Sequence, residues 1–134
     1  MEEVIKFLME NPIQYLATVG KEGNPSVRPF KFMLEKEGKI FFCTSNKKDV
    51  YQEIINNPNV EICTSSAKYA WIRLSGKVVF SKDLNIKKEI IDRNELIRSI
   101  YKTPDDPVFE IFYLENAKAV IADLSGEPPR FFFL

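Results

Sequence analysis

The residues with the most chemistry in them lie between Lys39 and Asn59, KIFFCTSNKKDVYQEIINNPN. A short apolar strand runs into three hydroxyl and amide side chains, Thr44, Ser45 and Asn46, and then into Lys47 and Lys48. The pattern that follows predicts a helix over Lys48 to Asn56, ended by Asn57-Pro58 because a residue before proline is pushed out of the helical region. Ser45 or Asn46 is the expected N-cap, with both lysines in the first turn. Cations there oppose the helix dipole by about 0.3–1 kcal/mol each. The arrangement becomes favourable when a dianion sits among the lysines, the hydroxyls and the free N–H groups of the helix start, so the segment reads as a phosphate pocket. A capped surface helix with two solvated lysines fits the spacing about equally well, since this is not a Walker-type signature.

Two further groups could meet a ligand. Arg28-Pro29-Phe30 puts a proline inside a strand, which marks an edge or a bulge and leaves backbone unpaired. Arg28 either snorkels as an edge arginine or meets an anion. Trp71 and Arg73 are two apart on a strand and point the same way, so an indole and a guanidinium could wall a planar, electron-poor ring. Trp71 packed against its own neighbours is the plainer alternative. The tail ends in Phe131, Phe132, Phe133 and Leu134; leaving such side chains in water costs about 1.5–3 kcal/mol each, so it should dock on its own domain or on a partner, with a dimer interface or cofactor edge the expected place and disorder the alternative. One phosphate group, one planar ring and one anionic edge together describe a nucleotide-like cofactor.

Composition narrows the field. The chain has no histidine, which removes Ser-His-Asp and Cys-His catalysis and any metal site built on imidazole; no metal site is expected. Its 19 basic and 19 acidic residues cancel, which argues against a nucleic-acid partner held by a broad basic field. Cys43 and Cys63 lie in predicted strands without CxxC spacing and read as buried thiols in a reducing compartment. The start, MEEVIKFLMENP, has acids where a signal peptide needs bases, and no run approaches a membrane span, so a cytoplasmic protein with no membrane partner is expected.

These residues need elements to hold them. Glu2 to Glu10 has helical spacing, and Ile13–Val19, Ser26–Leu34 and Lys39–Thr44 should form an antiparallel meander. Val60–Ser65 and Ala70–Ser81 read as strands, with Gly76 marking a bend or bulge. Asp83 or Asn85 can cap a helix carrying Ile86, Ile90, Ile97 and Ile100. Phe109–Leu114 and Ala117–Leu124 read as two more strands. The expected fold is mainly β with α+β content: six or seven antiparallel strands in a small barrel with peripheral helices, one domain over residues 1–134.

The order of these features resembles the FMN-binding split-barrel family related to pyridoxamine 5'-phosphate oxidase. The likeness rests on a strand ending Cys43-Thr44, then Lys47-Lys48, a helix and Asn57-Pro58, together with the Arg28-Pro29-Phe30 strand and the segment WIRLSGKVVF. It runs from about Ile13 to Leu124 and is nearest the nitroimidazole-resistance-like branch. The resemblance implies a homodimer with FMN at the subunit interface. It implies that Thr44, Ser45, Lys47 and Lys48, with Asn46 among them, hold the phosphate. Arg28, Pro29 and Phe30 would run past the isoalloxazine ring, with Trp71 and Arg73 near it, reached from the other subunit. Two departures stand out. The better-studied nitroimidazole-resistance proteins use a histidine near the flavin. The pyridoxamine phosphate oxidases have a longer, more basic carboxy-terminal segment, whereas this chain ends GEPPRFFFL, so vitamin B6 oxidation is not expected.

The expected function is an FMN-dependent oxidoreductase for an unknown small molecule, with a nicotinamide reductant as partner and no side chain that stands out as a catalytic acid or base. Two alternatives keep the fold: a flavin carrier or sensor without turnover, and a different ligand, either a phosphate-bearing deazaflavin or, least favoured without histidine, haem.

Overall fold

Proline, glycine and asparagine punctuate the chain where its elements change. The computed structural model describes residues 1–134. It begins with α1 (Glu2–Glu10), whose Val4 and Leu8 are buried one turn apart. β1 (Gln14–Val19) and β2 (Pro25–Phe30) form an antiparallel hairpin closed by a bond from the Gly20 amide to the Asn24 carbonyl, 2.6 Å. β3 (Leu34–Lys36) and β4 (Lys39–Ser45) form a second hairpin, turned by Glu37 and Gly38 at φ 51° and 80°. Then come α2 (Asp49–Asn56), β5 (Asn59–Ser65), β6 (Trp71–Ser81), α3 (Leu84–Arg93), α4 (Glu95–Tyr101), β7 (Phe109–Ala122) and β8 (Arg130–Phe133).

All strands join one antiparallel sheet in the order β2-β1-β5-β6-β7-β4-β3, with β8 added to β7. The chain passes directly from β2, at one end of that path, to β3, at the other. The sheet therefore curls into a barrel that no ladder closes between β2 and the β3–β4 hairpin. Phe30 of β2 reaches across the interior to Phe112 of β7, with ring centroids 6.0 Å apart. Gln14, fully buried, ties the crossing in place: it donates to the carbonyls of Leu8 and Asn11 and accepts from the Phe32 amide.

Two cores result. The barrel interior holds Leu16, Phe42, Ile62, Leu74 and Phe112, capped by α1. A second core under α3 and α4 holds Phe41, Cys43, Ile90, Tyr101, Phe109 and Ile111. β4 serves both by alternation, Phe42 facing one and Phe41 and Cys43 the other.

The structure departs from the sequence-based expectations at identifiable points. The strand expected over Ser26–Leu34 breaks at Lys31–Met33, because the Phe32 amide goes to Gln14 and the Met33 amide to the Phe41 carbonyl, 2.9 Å, so the chain changes partners. The helix expected through Ile100 breaks at Asn94, whose side chain caps α4 at the Ile97 amide. Asp83, one of the two expected caps, caps α3. The two closing strands are one: the bulge falls in β7, where Asn116, at φ 53°, and Ala117 stand opposite the single residue Gly76 without ending the ladder. The tail adds a strand, so the antiparallel barrel carries eight rather than six or seven. Cys43 is buried as expected, but Cys63 is exposed, because the outer face of β5 has no layer over it. No helix is long and apolar enough to cross a membrane.

Candidate functional site

The gap in the barrel has two lips, β2 on one side and the end of β4 on the other, and α2 lies between them. Val50 and Ile54 seat α2 in the barrel core, and Tyr51 packs on Phe80 at 5.0 Å. At eight residues α2 is too short to persist alone, so these anchors set its position.

The β4 lip carries the expected phosphate residues, with a corrected cap. Lys48, not Ser45 or Asn46, is the N-cap of α2, and no side chain caps the helix. The reason is local. Ser45 Oγ accepts from the Lys47 amide at 3.2 Å, and Asn46 Nδ2 donates to the Pro107 carbonyl and to Glu110 Oε2, each at 2.8 Å. Both side chains are spent before the helix begins. Lys47 and Lys48 thus stand just before the first turn, exposed and without a carboxylate partner. The start of α2 keeps its partial positive charge and its first amides without a side-chain acceptor.

Thr44 is the informative residue of this lip. It is only 3% exposed, and its Oγ1 is the one buried side-chain polar atom in the molecule with no hydrogen-bond partner. Such a group costs about 1–3 kcal/mol. Behind it, burial pushes the Cys43 thiol up to about 12 despite the opposing Lys48 charge, so the thiol stays neutral.

On the β2 lip, Arg28 points inward and is already engaged. Its guanidinium meets Glu53 of α2 at 2.6 Å and donates to Thr18 Oγ1, Ser26 Oγ and the Leu16 carbonyl at 2.8, 2.7 and 3.2 Å. Glu53 also accepts from the Thr18 hydroxyl at 2.6 Å, and that bond, with the Arg28 guanidinium, holds its carboxyl below the ordinary value. Pro29 faces outward on an edge strand that needs no donor from it, and Phe30 faces the interior.

Trp71 and Arg73 lie elsewhere. They share the outer face of β6, where Arg73 pairs with Glu61 at 2.9 Å and Trp71 is half-buried. Arg73 is opposite Val120 of β7, whereas Thr44 is opposite Glu110. Ten residues of β7 separate the two, about 30 Å along the strand. The structure therefore brings Arg28, Thr44, Ser45, Asn46, Lys47 and Lys48 to the two lips bridged by α2 and leaves Trp71 and Arg73 at the far end of the protomer.

An outward row runs across the sheet from the β2 lip to this region. Pro29, Tyr15, Cys63, Arg73, Val120 and Phe131 are successive cross-strand neighbours on one outward row. Tyr15 and Phe131 are 49% and 66% exposed, and Val27 and Ile13 on the same side are 65% and 64% exposed. Apolar side chains exposed to this degree flank the Arg73–Glu61 ion pair on the outer face.

Glu53 and Thr18 are the site residues that sequence reading missed. Glu53 sits beside the buried stripe of α2, and Thr18 shares its strand face with Leu16, but nothing local says that they meet Arg28.

The model of the family described as pyridoxamine 5'-phosphate oxidase matches residues 1–120. A NimC/NimA family protein of Clostridium acetobutylicum is 32% identical and superposes with a TM-score of 0.91 over 100% of this chain and 92% of its own. A pyridoxamine 5'-phosphate oxidase-related, FMN-binding protein of Nostoc punctiforme is similar in fold, with a TM-score of 0.75 at 18% identity, over 97% of this chain and 87% of that one. An uncharacterized protein of Methanocaldococcus jannaschii is 25% identical over 88% of this chain and 80% of its own.

Proposed function

The chain belongs to the pyridoxamine 5'-phosphate oxidase family, and on that premise we propose that it binds FMN and acts as a flavin-dependent oxidoreductase on a small molecule. The observation that carries this reading is Thr44, a buried hydroxyl without a partner, beside two unpaired lysines at an uncapped helix start. Those donors fit a phosphate dianion: Thr44 and Ser45 offer hydroxyl protons, Lys47 and Lys48 offer charge, and α2 offers its amides. Asn46 acts from behind, since its amide protons hold the segment to Pro107 and Glu110.

Pro29 and the exposed backbone of β2 form the wall for the ring. Arg28 serves this wall by fixing it to α2. Trp71 and Arg73 come from a second copy of the chain, docked through the outward row that also carries Pro29, Tyr15 and Phe131. The protein is then a homodimer with its sites between subunits. Bound flavin would supply the electron-transfer chemistry, and the chain supplies binding, orientation and exclusion of water. The substrate is a small molecule and the electron donor a reduced nicotinamide. Pyridoxamine phosphate is not the proposed substrate, because the tail's single basic residue, Arg130, is paired with Glu3.

A second reading, a flavin carrier or sensor without turnover, is favoured by one observation. Glu53 and Glu110 are both held by other side chains and the chain has no histidine, which leaves Asp49, exposed in the first turn of α2, as the one nearby carboxylate without a side-chain partner.

The test is the visible spectrum of the purified protein during titration with FMN, followed by addition of NADH or NADPH. Saturable binding with flavin bleaching and reoxidation by an acceptor supports the oxidoreductase. Binding without bleaching supports the carrier, and no binding refutes both.

A further inference from the structure

The two lips of the barrel gap are joined by one polar cluster, and it includes a carboxylate that the flavin reading does not require. Glu53 lies five residues beyond Lys48, about 7.5 Å along the axis of α2. Its carboxylate takes the Arg28 guanidinium and the Thr18 hydroxyl on the same oxygen, each at 2.6 Å. Both partners of the ion pair are largely covered, with side chains 22% and 16% exposed. Arg28 spends its two terminal nitrogens on four acceptors, three of them in β1 and β2 and one in α2. Ser26 and Arg28 belong to the strand that leads into Pro29-Phe30, and Glu53 belongs to the helix that starts at Lys48.

The other anchors of α2, Val50, Ile54 and Tyr51, hold it to the barrel core and to β6. Apolar contacts of that kind are non-directional and let a short helix slide or roll. The Arg28–Glu53–Thr18 cluster is directional, and it is the polar tie between α2 and the β1–β2 hairpin. We propose that Glu53 is a positioning residue for the cofactor. Through Arg28 and Thr18 it fixes the phosphate end of the site, on α2, relative to the ring wall, on β2. Arg28 in this arrangement is a clamp and does not touch the flavin.

The inference rests on the FMN reading and predicts a distinctive selectivity. Loosening the clamp should harm the ligand that spans both lips and spare the one that lacks a phosphate. Glu53→Gln is therefore expected to lower FMN affinity by about tenfold while changing riboflavin affinity by less than about twofold. Thr18→Val, which keeps the ion pair and the side-chain shape, is expected to move FMN affinity in the same direction by about threefold, and it remains available if Glu53→Gln does not fold. Fluorescence titrations of wild type and both variants with FMN and riboflavin, with circular dichroism to verify folding, make the test. A parallel loss of FMN and riboflavin affinity, or FMN affinity within twofold of wild type in both variants, would overturn the positioning role and leave the flavin reading standing. Wild-type protein that binds no FMN would remove the flavin reading, and this inference with it.

Discussion

The two ends of β7 are built for different purposes. Its first half lies beside the end of β4, where a partnerless hydroxyl, two unpaired lysines and an uncapped helix start converge within one protomer. Its second half lies beneath an outward row of Tyr15, Cys63, Arg73, Val120 and Phe131 that nothing in the protomer covers. The first end presents donors and positive charge, and the second presents exposed apolar side chains. In the proposed two-fold dimer, a second copy would pack on the outer face and carry its own Trp71 and Arg73 into the interface.

The comparison can be broken at either end. The largest effect is expected on the outer face, where each substitution counts twice in a two-fold interface. Tyr15→Arg should raise the dimer dissociation constant by about 100-fold or more, read by sedimentation velocity, with FMN affinity falling alongside. A dimer unaffected by Tyr15→Arg would put the interface elsewhere. At the other end, Lys48→Ala should weaken FMN by about 1.5–3 kcal/mol, measured by fluorescence titration, without altering sedimentation. The smallest and most diagnostic effect concerns Thr44. Thr44→Val should lower FMN affinity by about threefold and yet stabilise the flavin-free protein by about 1 kcal/mol in urea unfolding, because it removes a buried unsatisfied hydroxyl. Loss of stability in Thr44→Val would mean that the hydroxyl is satisfied without a ligand.

Much of this was legible in the sequence, and the failures have physical causes. Pro58 and the alternating strands located α2 and the strands on either side of it, because local backbone preferences act within a few residues. The N-cap was misplaced because Ser45 and Asn46 bond to Lys47, Pro107 and Glu110, two of them more than sixty residues away. The outward facing of Tyr15 and Val19 was likewise hidden. In β1 the inward face carries Gln14 and Thr18, and a strand pattern does not say that buried polar side chains will find partners in α1, α2 and β2. The tail's need to dock was readable, but its partner strand was not: Phe132 and Leu134 pack on the barrel core while Phe131 and Phe133 face out.

Subunit complementation tests the divided site most directly. Lys48→Ala and Trp71→Ala/Arg73→Ala proteins are unfolded, mixed in equal amounts, refolded and titrated with FMN. If each site takes its phosphate end from one subunit and Trp71 and Arg73 from the other, mixed dimers regain one intact site. About a quarter of all sites then bind with wild-type affinity. If Trp71 and Arg73 serve the site of their own subunit, every site in the mixture stays defective, and the absence of any tight-binding fraction would contradict the account.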